Sequence, residues 1–108
     1  MARCGRLFYS ASEAAIRNLV SSWALDLRGT RIRVNVLSPG PSDTPGLLRG
    51  LAKTGNRDAA IAGLVVRTPL GRMSDPDDIA AVALFLASEE SAFMTGSETS
   101  ADGGYAQV

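Results

Sequence analysis

The chain has 108 residues, which is enough for at most one small domain with a hydrophobic core. Hydrophobic residues make up 45% of it and charged residues 20%, a balance typical of globular rather than disordered proteins. Eleven basic and eleven acidic residues leave no net charge, so neither a nucleic acid nor an anionic membrane is an expected partner.

The scarcity of histidine and cysteine excludes several kinds of site. The sequence has no histidine and a single cysteine, Cys4, which excludes a His/Cys metal site within one chain and also a hydrolase based on histidine. A lone cysteine forms no intrachain disulfide, and this predicts a reducing compartment. Residues 1–6 lack the apolar core of a signal peptide, and the longest strongly apolar run, residues 79–87, is shorter than the roughly 20 residues that cross a bilayer. We therefore expect a cytoplasmic protein without a membrane partner.

The first predicted element is an amphipathic helix. Ser12 is a suitable N-cap, and apolar residues recur after it at helical spacing as far as Arg28. Gly29 suits the left-handed position that follows the end of a helix. The apolar stripe predicts either a core face or a subunit interface. Its members are Ile16, Leu19, Val20, Trp23 and Leu27.

A strand is predicted next. Residues 31–37 alternate polar and apolar side chains and are rich in β-branched residues. Residues 38–41 should stop the strand, because Pro39 and Pro41 cannot donate ladder hydrogen bonds. Residues 42–70 are broken by glycines and predict a long loop with short helices, of the kind that often covers a site.

A second long helix and a second strand complete the pattern. Asp75 is a suitable N-cap, Pro76 suits the first helical position, and acidic residues fill the first turn of a helix that should reach Ser88. Residues 96–104 predict at most a short strand before a glycine turn. Strands separated by a helical crossover are expected to be parallel. Since two parallel strands rarely stand alone, the pattern indicates that more sheet comes from elsewhere.

Several separated blocks of the sequence resemble the C-terminal half of the short-chain dehydrogenase/reductase family. Together, in order and spacing, they span almost the whole chain. The blocks are residues 9–16 (YSASEAAI), 32–44 (IRVNVLSPGPSDT), 69–73 (PLGRM) with 77–79 (DDI), 84–88 (LFLAS), and 95–97 (TGS) leading to 102–104 (DGG). The resemblance implies that residues 1–108 form a single partial domain of α/β class. This domain would be the C-terminal portion of a Rossmann-like, doubly wound parallel sheet, with about two strands plus helices and without the N-terminal dinucleotide-binding half.

The resemblance also implies a catalytic pair. It places the family's proton donor and acceptor at Tyr9, and it puts Glu13 where the family has the lysine of its Tyr-x-x-x-Lys motif. That lysine stabilises the tyrosinate and binds the nicotinamide ribose, whereas an ionised Glu13 repels a tyrosinate. Glu13 could still accept hydrogen bonds from ribose hydroxyls. The residues alone allow a simpler interpretation, in which Tyr9 is an ordinary amphipathic residue and Glu13 an acid in the first turn of its helix.

NAD or NADP is the cofactor that the resemblance implies. It places Pro39, Gly40, Ser42 and Thr44 against the carboxamide of the nicotinamide, although residues 39–40 alone could simply end a strand. No Gly-x-Gly-x-x-Gly motif follows a strand in these 108 residues, so nothing here predicts a cradle for the cofactor phosphates. The strand that carries the family's catalytic serine is also not among them.

Three functions remain open from the sequence. The chain could be a partial copy of an NAD(P)-dependent oxidoreductase that is inactive alone. It could be an active oxidoreductase whose other parts come from a partner chain or lie upstream of a misassigned start codon. It could instead be a non-catalytic module that docks on an intact family member. For partners, we expect self-association or another subunit of the same family, through the helix at residues 12–28. The substrate is not predicted.

Overall fold

A computed structural model describes the backbone of residues 2–107 and the side chains of residues 7–106. The described chain contains four α-helices, two β-strands and two single-turn 3₁₀ helices. The α-helices are α1 (Ala2–Asp26), α2 (Pro45–Ala52), α3 (Arg57–Arg67) and α4 (Pro76–Ala87); the strands are β1 (Val36–Pro39) and β2 (Glu98–Ala101); the 3₁₀ helices are Glu89–Ser91 and Tyr105–Gln107.

The two strands form a parallel sheet, as predicted. Val36 lies opposite Glu98, and Pro39 lies opposite Ala101. The connection between the strands includes α4, which packs on the sheet. The predicted α/β class and the order of helix, strand, short helices, helix and strand are therefore confirmed.

The first helix begins earlier than the sequence indicated. Ser12 does not cap α1, because the helix already starts at Ala2. The Ser12 hydroxyl instead donates a hydrogen bond to the Tyr9 carbonyl, 2.8 Å away within the same helix. A serine side chain can bond either a free N–H group at a helix start or a carbonyl inside a helix, and here it does the latter. The prediction for Gly29 is confirmed, since its φ is +81° in the turn that follows the helix.

The first strand lies later than predicted. The segment just before it runs beside residues 94–97, but side chains make part of the pairing. The Asn35 amide group donates to the Met94 carbonyl at 3.0 Å and accepts from the Ser97 N–H at 3.1 Å. Regular pairing starts only at Val36 and includes Pro39, whose missing N–H is tolerated at this position.

Arg33 connects the start of the sheet to the end of α4. One terminal nitrogen of its guanidinium, Nη1, donates to the carbonyl and hydroxyl of Ser91 at 2.9 and 3.0 Å, and to the Met94 carbonyl at 3.1 Å. The other, Nη2, donates to the carbonyls of Leu86 and Ser88 at 2.9 and 3.1 Å. Carbonyls at a helix C-terminus lack partners within the helix, and Arg33 adds a charged donor to those that the Ser91 hydroxyl and nearby N–H groups already provide.

The described residues enclose little apolar core. Val20 is the one hydrophobic side chain among residues 7–106 that is buried, with 5% of its surface exposed. The radius of gyration is 16.3 Å, whereas a compact domain of this length has about 13 Å. Large apolar side chains are exposed along α1 and α4. They include Leu7, Phe8, Ile16, Leu19, Trp23, Leu84 and Phe85. Within residues 2–107, no helix is both long and apolar enough to span a bilayer.

We predict that Arg33→Met lowers the free energy of unfolding by about 2–3 kcal/mol, because hydrogen bonds from a charged donor are lost and carbonyls lose a partner. Urea unfolding followed by circular dichroism measures the change. Arg31→Met is the matched control, since Arg31 is exposed and should change stability by no more than about 0.5 kcal/mol. Equal effects of the two substitutions would contradict a special role for Arg33.

Candidate functional site

A cleft of about 480 Å³ lies at the C-terminal end of β1. This is the edge of a parallel sheet at which ligands commonly bind in open α/β folds. All four residues that the sequence predicted to contact a cofactor line this cleft, and they are joined there by apolar residues from α2 and α4. The lining residues are Pro39, Gly40, Pro41, Ser42, Thr44, Leu47, Pro76 and Ile79.

Gly40 brings the ends of the two strands together. A Cβ atom at this position would stand 2.6 Å from the Cα atom of Asp102, a distance that real Cβ atoms do not show. The Gly40 N–H donates to the Ala101 carbonyl at 3.0 Å. Glycine is therefore required here by the packing of β1 against the end of β2, whatever the cleft binds.

Ser42 fastens the floor of the cleft to the segment before α4. Its hydroxyl donates to the Gly40 carbonyl at 3.0 Å and lies 2.7 Å from the hydroxyl of Ser74. The Ser74 N–H donates to the Pro41 carbonyl, and the Asp43 N–H donates to the Ser74 carbonyl. Since the one proton of Ser42 is already used, this side chain can offer a ligand only an acceptor lone pair.

Thr44 keeps a donor available. It is the N-cap of α2, and its hydroxyl oxygen accepts a hydrogen bond from the Leu47 N–H at 3.2 Å. A threonine hydroxyl has one proton besides its acceptor sites, and the bond from Leu47 leaves that proton unused. The half-buried Thr44 can thus donate to an acceptor such as a carboxamide oxygen. The mostly apolar lining and this polar donor fit the amide end of a nicotinamide.

The N-terminus of α4 forms the neighbouring wall. The Asp78 carboxylate accepts hydrogen bonds from the Asp75 N–H at 2.9 Å and from Arg72 at 2.7 Å. The Arg72 guanidinium holds the pKa of Asp78 below its usual value, and Asp78 in turn raises the pKa of Arg72. The predicted start of this helix at Asp75 and Pro76 is confirmed. A second cavity, of about 540 Å³, adjoins the cleft and shares Pro41 and Ile79 with it, but it contains none of the four predicted residues.

Tyr9 and Glu13 lie on α1 and are not among the residues that line the cleft. Their spacing of four residues places them on one side of the helix. The Tyr9 side chain is 67% exposed. The interpretation of Glu13 as a first-turn acid is wrong, because α1 begins 11 residues before it, about three turns. The structure therefore keeps the two residues of the predicted catalytic pair on one helix and places them apart from the cleft lining.

Four lining residues of the cleft were not predicted from the sequence. Pro41 adjoins the predicted set, but Leu47, Pro76 and Ile79 come from α2 and α4. The sequence pattern indicated only that Pro76 and Ile79 lie at the start of a helix, and nothing in it marked Leu47. No cluster of three or more potential metal ligands of the His, Cys, Asp or Glu type occurs in the part of the chain that the structure describes.

The known proteins that resemble this chain in sequence are oxidoreductases of one family. The profile of a family described as enoyl-(acyl carrier protein) reductase matches residues 2–106. Oxidoreductase asL5 of Sarocladium schorii is 48% identical over 100 residues, which are 93% of this chain and 38% of that protein. The 3-oxoacyl-(acyl-carrier-protein) reductase FabG of Thermotoga maritima is 40% identical over the same shares of the two chains.

Solved structures agree with the sequence comparisons. A short chain dehydrogenase family protein from Francisella tularensis superposes with a TM-score of 0.82 at 37% identity, over 93% of this chain and 43% of that one. A protein from Beutenbergia cavernae, described as a putative NAD(P) dependent gluconate 5-dehydrogenase with NADP bound at low occupancy, gives a TM-score of 0.83 at 31% identity, over 93% and 39%. The chain thus spans 38–43% of the length of these proteins.

We predict that Gly40→Ala destabilises the fold by about 1–3 kcal/mol, because the new methyl group overlaps Asp102 backbone atoms that cannot move without separating the strands. Thermal unfolding measures the effect. Gly46→Ala is the control: Gly46 lies in α2 with open space around it, so alanine there should stabilise by up to about 1 kcal/mol. Destabilisation by both substitutions would point to a general intolerance of alanine and would contradict a close approach specific to Gly40.

Proposed function

This chain belongs to the short-chain dehydrogenase/reductase family, and on that premise we propose that it carries the nicotinamide end of an NAD(P)-dependent oxidoreductase site. The proposed reaction is hydride transfer between the cofactor and a carbonyl or alcohol substrate. One observation carries the proposal: the four residues that the sequence motif assigns to the nicotinamide, Pro39, Gly40, Ser42 and Thr44, line a single cleft at the end of β1.

The proposal assigns a binding or catalytic role to the cofactor, to the cleft residues and to Tyr9. Bound NAD or NADP supplies the hydride donor or acceptor. The Thr44 hydroxyl would donate to the carboxamide oxygen and so orient the amide. Pro39 and Leu47 cover apolar surface and exclude water from it. Tyr9 would be the group that exchanges a proton with the substrate oxygen, although in this chain it does not line the cleft.

We further propose that the 108 residues are catalytically inactive by themselves. Glu13 cannot supply the positive charge that favours a tyrosinate, and when ionised it disfavours one. The sequence has no Gly-rich motif to hold the pyrophosphate, and such a motif with its helix N-terminus provides much of dinucleotide binding. The competing proposal, an active enzyme completed by a partner chain, predicts activity when that partner is added.

The test is the affinity of the purified 108-residue chain for NAD(H) and NADP(H), measured by calorimetry and by nicotinamide fluorescence. We expect no saturation at micromolar cofactor and no turnover. Glu13→Lys should restore a charge suited to the ribose and the tyrosinate, yet still give no turnover, because the phosphate cradle is not provided. Glu90→Lys, an exposed substitution of the same charge change, is the control. Micromolar binding by the unmodified chain would overturn the proposed inactivity.

The exposed side of α1 supports a second proposal, namely that the chain associates with itself or with another subunit of its family. Ile16, Leu19 and Trp23 lie on one side of the helix, and about half of each side chain is exposed. A surface of this kind is costly to leave in water and is typical of an interface. Self-association through residues 12–28 would cover it.

We predict that Leu19→Glu shifts the protein toward monomer in analytical ultracentrifugation at micromolar concentration. Leu25→Glu is the matched control, because Leu25 is also exposed but projects about 120° away around the same helix. Leu25→Glu should leave the distribution unchanged. A monomeric unmodified chain that also fails to bind a full-length relative would refute this interface.

We also propose a cytoplasmic location, which rests on the use of a single cysteine.

A further inference from the structure

The segment after β2 folds into a turn that its own aspartate holds closed. The Asp102 carboxylate accepts hydrogen bonds from the Gly104 N–H at 2.9 Å and from the Ala106 N–H at 3.0 Å. Gly103 and Gly104 have φ values of +61° and +87°, a region that other residues rarely adopt. The Asp-Gly-Gly sequence therefore specifies this turn through both its carboxylate and its backbone.

The turn docks tightly on the segment that follows α3. A Cβ atom on Gly103 would lie 2.8 Å from the Thr68 methyl group, and one on Gly104 would lie 2.8 Å from the ring of Pro69. The Leu70 N–H donates to the Gly103 carbonyl at 3.2 Å. Thr68 is 4% exposed, one of the most enclosed residues described. The end of α3 is thus fixed to the end of β2 at close range.

A cation–π contact extends this junction into α3 itself. The guanidinium carbon of Arg67, the last residue of α3, lies 4.7 Å from the centre of the Tyr105 ring. This is within the range of about 6 Å over which the ring face attracts a cation. Arg67 is exposed, whereas Tyr105 is partly enclosed.

We propose that Tyr105 is a positioning residue that, through Arg67, holds α3 and with it α2 in place beside the cleft. The helices α2 and α3 pack against each other. Helix α2 begins at the Thr44 cap and carries Leu47 into the cleft wall. The position of that wall is thereby set by a side chain that is not among the residues lining the cleft. This inference is independent of whether the cleft binds a nicotinamide.

Hydrogen exchange of the full chain, read by mass spectrometry without any ligand, tests the proposal. Tyr105→Ala should speed the exchange of amides in residues 57–67 and 47–52 roughly two- to fivefold, the range expected for an exposed cation–π pair. Tyr105→Phe keeps the ring and should behave like the unmodified chain. Exchange in residues 17–26 of α1 serves as the internal control and should not change.

Arg67→Met provides the second, independent variant, because it removes the cation while the turn remains intact. It should speed exchange in the same two segments, and the double variant with Tyr105→Ala should exchange no faster than either single variant. Strictly additive effects would overturn the proposed pairing, as would a Tyr105→Phe variant as fast as Tyr105→Ala. If α3 responds and α2 does not, the transmission to the cleft is refuted. If Tyr105→Ala unfolds the chain, the Arg67→Met result decides.

Discussion

The Arg33 guanidinium is the constraint on which the rest of this structure depends. It donates hydrogen bonds to groups of Leu86, Ser88, Ser91 and Met94, which together form the end of α4 and the approach to β2. A planar fork with five N–H donors can serve several carbonyls at once, which the compact ammonium of a lysine cannot do with the same geometry. Because Arg33 lies just before β1, this one side chain fixes where α4 ends relative to where the sheet begins.

The C-terminal end of the sheet is held by a close approach between two backbone segments. There Gly40 meets Asp102 so closely that a single methyl group would not fit. The start of the strand pair is therefore positioned by the charged Arg33 side chain, and its end by the absence of a side chain at Gly40. The cleft opens just beyond Gly40. The bends that form the cleft come from backbone packing and from the paired hydroxyls of Ser42 and Ser74. Its shape is therefore a property of the chain itself.

Local signals in the sequence predicted the fold well, whereas features that depend on distant contacts were missed. The start of α4 followed from Asp75 and the proline after it, since capping chemistry involves only neighbouring residues. The prediction that Ser12 caps the first helix was wrong, because a serine hydroxyl can also bond a carbonyl inside a helix. The limits of β1 were wrong because the Asn35 side chain replaces part of the ladder. The assignment of residues 39–44 came from a family resemblance. Residues alone indicated only a strand end, and the Ser74 contact that shapes the cleft lies 32 positions away.

The candidate site has two parts, Tyr9 on α1 and the cleft, and few described contacts connect them. Tyr9 lies on α1, whereas the cleft is built by β1, α2 and α4. The described links from α1 to the strand region include the close approach of Ala24 to Gly96, where an added Cβ would lie 3.1 Å away, and a half-exposed ion pair between Arg17 and Glu98, at 3.0 Å. Such a pair contributes about 0–1 kcal/mol. Proton transfer needs reacting groups held to about 0.5 Å. A lysine in place of Glu13 would therefore correct the charge beside Tyr9 without fixing its position. The position of Tyr9 relative to the cleft therefore depends on the few contacts that α1 makes with the sheet.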